Sequence, residues 1–247
     1  MADDPEEPSP QDDTRKKSRR KFIQEVGSIV LGVLIALALG EVAESVRWQV
    51  RAGRSDAAID AELARVAGVL DERTMVQPCL ERRLDELERL LRAARVGNAL
   101  PAVAEIGRPP YRPTQAAAWD DAVSSGTLLH FSAERRATLS LNYPTIQSYD
   151  RDLKDEQGLW ATLRVLEGTP GPISDDLLAE ASLSVSRLRY STFMNGLSAK
   201  ETRDDIFRTG VAASYFIILD REGSRAEVAE AIGARPICRV LIAENPG

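Results

Sequence analysis

Two cysteines and one histidine are the only thiols and the only imidazole in this chain of 247 residues. Cys79, His130 and Cys238 lie far apart in sequence, and no pair has the spacing of a zinc site. His130 sits in "GTLLHFS", among apolar residues just after a helix end, where a histidine most often serves packing. One histidine leaves a Ser-His-Asp triad arithmetically open. No GxSxG, HExxH, phosphate-binding loop or GxGxxG occurs to support one. Carboxylates come in adjacent pairs, Asp120-Asp121, Asp175-Asp176 and Asp204-Asp205. Neighbours on a helix point about 100° apart, so such pairs do not face one reaction centre. They read as capping and solvation groups. Arg82-Arg83 and Arg135-Arg136 read as surface cations paired with the many carboxylates. The sequence therefore assigns no catalytic residue, no metal ligand and no cofactor. A net charge of −6 offers no basic field for nucleic acid.

The cysteines carry the remaining chemistry, and their state depends on compartment. In an oxidising compartment a Cys79–Cys238 bridge would close a loop of about 160 residues, stabilising by on the order of 4–5 kcal/mol. It would tie the C-terminal segment "RPICRVL" back to a helix near residue 79. The alternative is two separate buried thiols.

The compartment rests on "SRRKFIQEVGSIVLGVLIALALGEV", residues 18–42. "SRRKFI" fits a twin-arginine export signal, and Ala36-Leu37-Ala38 has the form of a cleavage site. A permanent anchor fits better. Residues 22–43 reach the length of about 20 that spans a bilayer, with Glu25 and Glu41 near its ends. Helical spacing continues past it through Val42, Val46 and Val50, where a peptidase needs extended chain. Ser28, Gly32, Ala36 and Gly40 recur every fourth residue, a small-residue face on which membrane helices approach closely. Basic residues before the run outnumber those just after it. The positive-inside rule then places the N-terminus in the cytoplasm and the rest in the periplasm of a bacterium. Membrane lipid is the expected partner of this helix, and a homo-oligomer is compatible with its small face.

Five regions follow. Residues 1–21, acidic then basic, are expected to be a disordered cytoplasmic tail. Residues 22–43 form the transmembrane helix. Residues 44–96 form a helical stalk or hairpin, with heptad-like coiled-coil spacing at Ile59, Leu63, Val66, Leu70 and at Leu80, Leu84, Leu87, Leu91, Ala94. Pro78 separates the two runs, kinking one helix or opening another. Residues 97–113, rich in proline, form a loop. Residues 114–247 form a helical domain packing on the stalk. Within it, Thr114, Ser132 and Ser174 are expected N-caps, and Ser198-x-x-Glu201 and Ser224-x-x-Glu227 have capping-box form. Gly126 is expected to end a short helix in a left-handed turn. Pro144 should kink or interrupt the helix of Leu139, Tyr143, Ile146 and Leu153. "SYFIIL" is the one strand-like run, read as a buried helical segment. The fold class is all-α: a transmembrane helix, a helical stalk and an irregular bundle.

"GSIVLGVLIALALGEVAE" resembles the anchor of a group of bacterial single-pass membrane proteins, in which "GVLIAL" precedes a helical extracytoplasmic domain. Trp119, Ser125-Gly126, Arg136, Leu139 and Tyr143 are similar to that group's middle pattern. The resemblance implies topology, with Trp119, Gly126 and Tyr143 as structural core, and no catalytic role. The function expected is interaction or scaffolding on a membrane anchor, with an unspecified protein partner. The alternatives are a ligand-sensing domain acting through a partner, or a twin-arginine-exported soluble protein.

Overall fold

A computed structural model describes residues 10–97 and 99–241. The chain is almost entirely helical. Its elements are α1 (Pro10–Gly97), β1 (Ala99–Leu100), α2 (Ala117–Ser124), α3 (Ala133–Leu163), β2 (Gly171–Pro172), α4 (Asp175–Arg208), α5 (Phe216–Leu219) and α6 (Arg225–Gly233). Short 3-10 turns cover Thr127–His130, Arg164–Leu166 and Pro236–Cys238. The chain divides into two compact units, residues 1–53 and 54–247.

The first unit holds the opening part of α1. An 18-residue window there has a mean hydropathy of 2.3 and buries nothing within the chain. The helix is long and apolar enough to cross a membrane. Residues 1–9 of the expected disordered tail lie outside the described residues. The remainder of that tail, from Pro10, is helical: proline opens α1 where a missing N–H costs nothing.

In the second unit α1 is unbroken, so the hairpin alternative for 44–96 is not adopted. Pro78 lies inside α1 and Pro144 inside α3, and both helices continue. Packing on either side outweighs the one hydrogen bond each proline removes, a loss of about 3 kcal/mol. Both heptad runs of α1 are buried throughout. Residues 66–73 are buried without exception. Successive helical residues point about 100° apart, so α1 is enclosed on every side over this stretch. One core joins Leu80, Leu84, Leu87, Leu91 and Ala94 of α1 to Trp160 and Leu163 of α3, to Ala181, Val185 and Leu188 of α4, and to Val228 and Ile232 of α6. Ile237 and Leu241 close it from the C-terminal side.

The 97–113 segment is less irregular than its prolines suggest. β1 pairs antiparallel with β2, Ala99 opposite Pro172 and Leu100 opposite Gly171. Val103 and Gly168 exchange two backbone hydrogen bonds of 3.0 Å. Gly107, at φ 73°, abuts the C-terminal segment so closely that a Cβ there would lie 2.5 Å from the Ile237 nitrogen.

Ser132 and Ser174 cap α3 and α4 as expected, accepting from the Arg135 and Leu177 amides. Ser224 and Glu227 form a complete capping box on α6. Two expected caps fail. Thr114 precedes α2 without capping it; its amide donates instead to Asp150 Oδ1 at 3.1 Å. Ser198 lies inside α4, because the apolar face runs on past it to Ala199 and Ile206. "SYFIIL" forms one helical turn, but Phe216 and Ile217 are exposed. Ile218 and Leu219 of the same turn pack against the core, and Asp220, at φ 56°, ends it.

Candidate functional site

The groups with chemical potential lie inside the second unit, and they are charged. Glu62, Asp71, Glu72, Arg73 and Arg83 of α1 and Glu156 of α3 are each no more than 3% exposed. An isolated buried charge is expensive, so each must find partners. Four clusters result.

The first is centred on Glu156. It accepts from Arg73 Nη2 at 3.0 Å, Thr192 Oγ1 at 2.8 Å, Trp160 Nε1 at 3.3 Å and Asn195 Nδ2 at 2.7 Å. Arg73 Nη2 also reaches the Thr192 carbonyl at 3.2 Å. One carboxylate thus ties α1, α3 and α4 together. Burial raises the nearby Tyr149 hydroxyl pKa, with the Arg73 charge opposing.

The second is centred on Asp71. It accepts from Arg203 Nη1, Arg225 Nε and Tyr215 Oη, each at 2.8 Å. Burial pushes the Asp71 carboxyl up. Hydrogen bonds from Arg225, Tyr215 and Arg203, with the Arg225 charge, outweigh burial and hold it below its ordinary value. Burial, with the hydrogen bond to Asp71, raises the Tyr215 hydroxyl to about 12. Neighbouring Glu72 accepts from Arg112 Nε at 2.7 Å and Arg235 Nη2 at 2.8 Å. Asp71 and Glu72 therefore hold the α4 end, α5, α6 and the 97–113 segment onto α1.

The third is centred on Glu62. Tyr143 Oη donates to Glu62 Oε1 at 2.7 Å, and the Ala118 amide donates to Oε2 at 2.9 Å. Tyr143 is fully buried and stacks on Trp119, with ring centroids 4.7 Å apart and planes 10° apart. Burial, then the Glu62 hydrogen bond, raises the Tyr143 hydroxyl pKa. Trp119 is half-buried, and Gly126, at φ 73°, makes the left-handed turn after α2. These residues are a structural brace between α1, α2 and α3. Arg135 adds ion pairs to Asp56 and Asp60.

The fourth is the C-terminal clamp. Cys79 and Cys238 are disulfide-bonded, S–S 2.06 Å and Cα–Cα 4.8 Å. Fully buried Arg83 donates through Nη1 to the Ile106 and Glu105 carbonyls at 2.6 and 3.1 Å. Its Nη2 donates to the Pro236 and Arg239 carbonyls at 3.0 and 2.5 Å. Arg82 Nη2 donates to the Cys238 carbonyl. The arginine pair expected on carboxylates at the surface thus grips backbone carbonyls. Arg83 Nε lies 3.0 Å from Glu86 Oε2, off the direction of a hydrogen bond. Arg136 likewise donates to the Leu129 and Phe131 carbonyls, not to a carboxylate.

Among the described residues no three His, Cys, Asp or Glu side chains are grouped to hold a metal ion. His130 is exposed at the end of its 3-10 turn. An open cleft of about 630 Å³ lies between the start of α3 and the end of α4, lined by Glu134, Arg135, Thr138, Asn142, Asp205 and Arg208. Its arginines are already engaged, Arg135 as above and Arg208 with Asp205. In the first unit Ser28, Gly32, Ala36 and Gly40 are exposed, and the Ser28 hydroxyl donates to the Glu25 carbonyl at 2.9 Å. A Cβ at Gly32 or Gly40 would meet nothing within 4 Å.

Sequence reasoning missed the six buried charges. One signal was present for Glu156. It falls in the three-and-four spacing of Leu139, Tyr143, Ile146, Tyr149, Leu153, Trp160 and Leu163. A carboxylate on an otherwise apolar face requires buried donors. No such signal marks Asp71, Glu72 or Arg73, because α1 is enclosed on all sides over residues 66–73.

Comparison with known proteins finds no matching family, no matching curated protein and no matching solved structure.

Proposed function

We propose that this chain is a membrane-anchored helical interaction protein, its N-terminus cytoplasmic and its disulfide-bonded domain periplasmic. The observation that carries this reading is the use of the buried charge. The six buried charged side chains are partnered across element boundaries by other side chains or by backbone groups, and none of them lines the 630 Å³ cleft between α3 and α4. A sensor or enzyme needs polar groups converging on a cavity. Here they brace the fold, as a rigid platform for a partner requires. The apolar first unit supports a bilayer as the solvent of α1's early turns. The disulfide supports an oxidising compartment for the second unit. The resemblance of the anchor to bacterial single-pass proteins supports the same topology.

The test is fractionation of cells making the full chain. A full-length species should resist alkaline extraction from membranes and dissolve in detergent. Its cysteines should resist thiol alkylation until a reductant is added. A soluble product about 40 residues shorter would overturn the anchor. Alkylation of both cysteines in the unreduced native protein would overturn the periplasmic assignment.

A further inference from the structure

Just beyond the apolar stretch of α1 stand two arginines with no counter-charge. Arg47 and Arg51 are exposed and lie four positions apart, on one face of the helix. Neither forms an ion pair among the described residues. The Arg51 guanidinium lies instead over the ring of Trp48, 4.7 Å from its centroid. An α-helix rises about 1.5 Å per residue, so Arg47 stands about 6 Å past residue 43. The headgroup layer of a bilayer is about 5–8 Å deep on each side. The Arg51 backbone lies about 12 Å past residue 43, outside that layer. Helical side chains lean toward the N-terminus, which here is the apolar end. The stack on Trp48 carries the Arg51 charge back by nearly a turn, to the depth of Trp48. Val46 and Val50, 53 and 50% exposed, keep apolar surface at the same depth. An interfacial layer accepts an indole, an apolar side chain and a cation together, where water favours only the cation.

We propose that Arg47, Trp48 and Arg51 form a binding site for the phosphate of an anionic phospholipid headgroup. This deepens the membrane-anchored reading above and rests on it. Planar guanidinium forks suit phosphate oxygens, and the Trp48 face orders the Arg51 fork before a lipid arrives. The two arginines are about one helical turn apart, close enough to share a single headgroup. A zwitterionic headgroup brings its own cation to these cations; an anionic one does not, so anionic lipid is selected. Glu44 is exposed on the same face, three positions before Arg47 and at the edge of the span. Its carboxylate opposes the phosphate and is outnumbered by the two arginines.

The experiment uses the full, disulfide-bonded chain reconstituted in mixed vesicles of phosphatidylcholine and phosphatidylglycerol. One lipid or the other is brominated near the glycerol, and quenching of Trp48 reports which lies against it. The chain has three tryptophans, so Trp48→Phe measured in parallel subtracts the share of Trp119 and Trp160. This readout is local to the site, and the basic run at residues 15–21 does not enter it. At about fivefold per charge, two arginines and one glutamate should give phosphatidylglycerol about a fivefold preference at low salt. Arg47→Gln or Arg51→Gln should each bring the two lipids to near equality, and Glu44→Gln should raise the preference about fivefold. All three side chains are exposed, and an unchanged urea midpoint verifies that each variant keeps the fold. Inorganic phosphate should displace the lipid no better than chloride at equal ionic strength. The proposal is overturned by equal quenching from the two lipids in the parent chain, or by a preference that survives loss of both arginines. It is also overturned by Glu44→Gln failing to raise the preference, or by inorganic phosphate displacing the lipid beyond the effect of chloride. Failure of the anchor reading is seen separately, as a soluble chain quenched by neither lipid.

Discussion

The Arg73–Glu156 pair offers the sharpest test of how this fold is held. Glu156→Gln keeps the side chain's shape and an acceptor for Thr192 and Trp160. It removes the counter-charge of an arginine that is 3% exposed. Nε and Nη1 of Arg73 already lack hydrogen-bond partners. The stranded cation should cost about 3–5 kcal/mol. That is a large share of the 5–15 kcal/mol typical of a domain. Arg73→Met strands the carboxylate in turn. Thr192, Trp160 and Asn195 still donate to it, so its loss should fall at the lower end, about 3 kcal/mol. The double variant Arg73→Met/Glu156→Gln carries neither charge. Its total loss should be about 2–3 kcal/mol smaller than the sum of the singles. The assay is urea unfolding of the detergent-solubilised, disulfide-intact chain, followed by tryptophan fluorescence, to which fully buried Trp160 contributes. Free energies come from midpoints at constant slope. Additive losses within about 0.5 kcal/mol would refute the reasoning, since the two charges would then not be stabilising each other.

Replacing both cysteines by serine should cost on the order of 4–5 kcal/mol in the same assay, because the bridge spans a sequence separation of 159. A change under about 1 kcal/mol would show that the unfolded chain is not constrained as argued. Gly68→Ala should destabilise by about 1–3 kcal/mol, since its Cβ would lie 2.0 Å from the Ser214 backbone oxygen. Gly53→Ala, with nothing within 4 Å, should stabilise α1 by about 0.5–1 kcal/mol. Equal signs for the two, read from urea midpoints, would refute the close approach at Gly68. Asp71 has a folded pKa below its unfolded value, so its contribution is fully present above about pH 4 and is lost as pH falls further. Acid titration of stability should therefore be shallower in Asp71→Asn than in the parent; an identical slope would refute the assignment.

Several elements were legible because their signals are local. The membrane-length helix follows from uninterrupted apolar composition. The buried stripe of α1 follows from its periodicity. The Ser132, Ser174 and Ser224 caps follow from side chains that satisfy amides three positions on. Thr114 and Ser198 carry the same residue types and do not cap, because a distant carboxylate or a longer apolar face decides their surroundings. The two-residue strands were not legible, since β1 and β2 lie some seventy positions apart and pair through backbone alone.

The sequence by itself determined an all-α chain with a membrane-length helix, and made the Cys79–Cys238 bridge the favoured state of its thiols. Only the tertiary structure decided that Asp71, Glu72 and Arg73 turn inward, and which donors meet Glu156. A charged residue on a helix looks the same in sequence whether it meets water or a partner. What separates the two is the desolvation cost, and that is offset only when donors and acceptors from distant segments arrive together. Such an encounter has no local period to read.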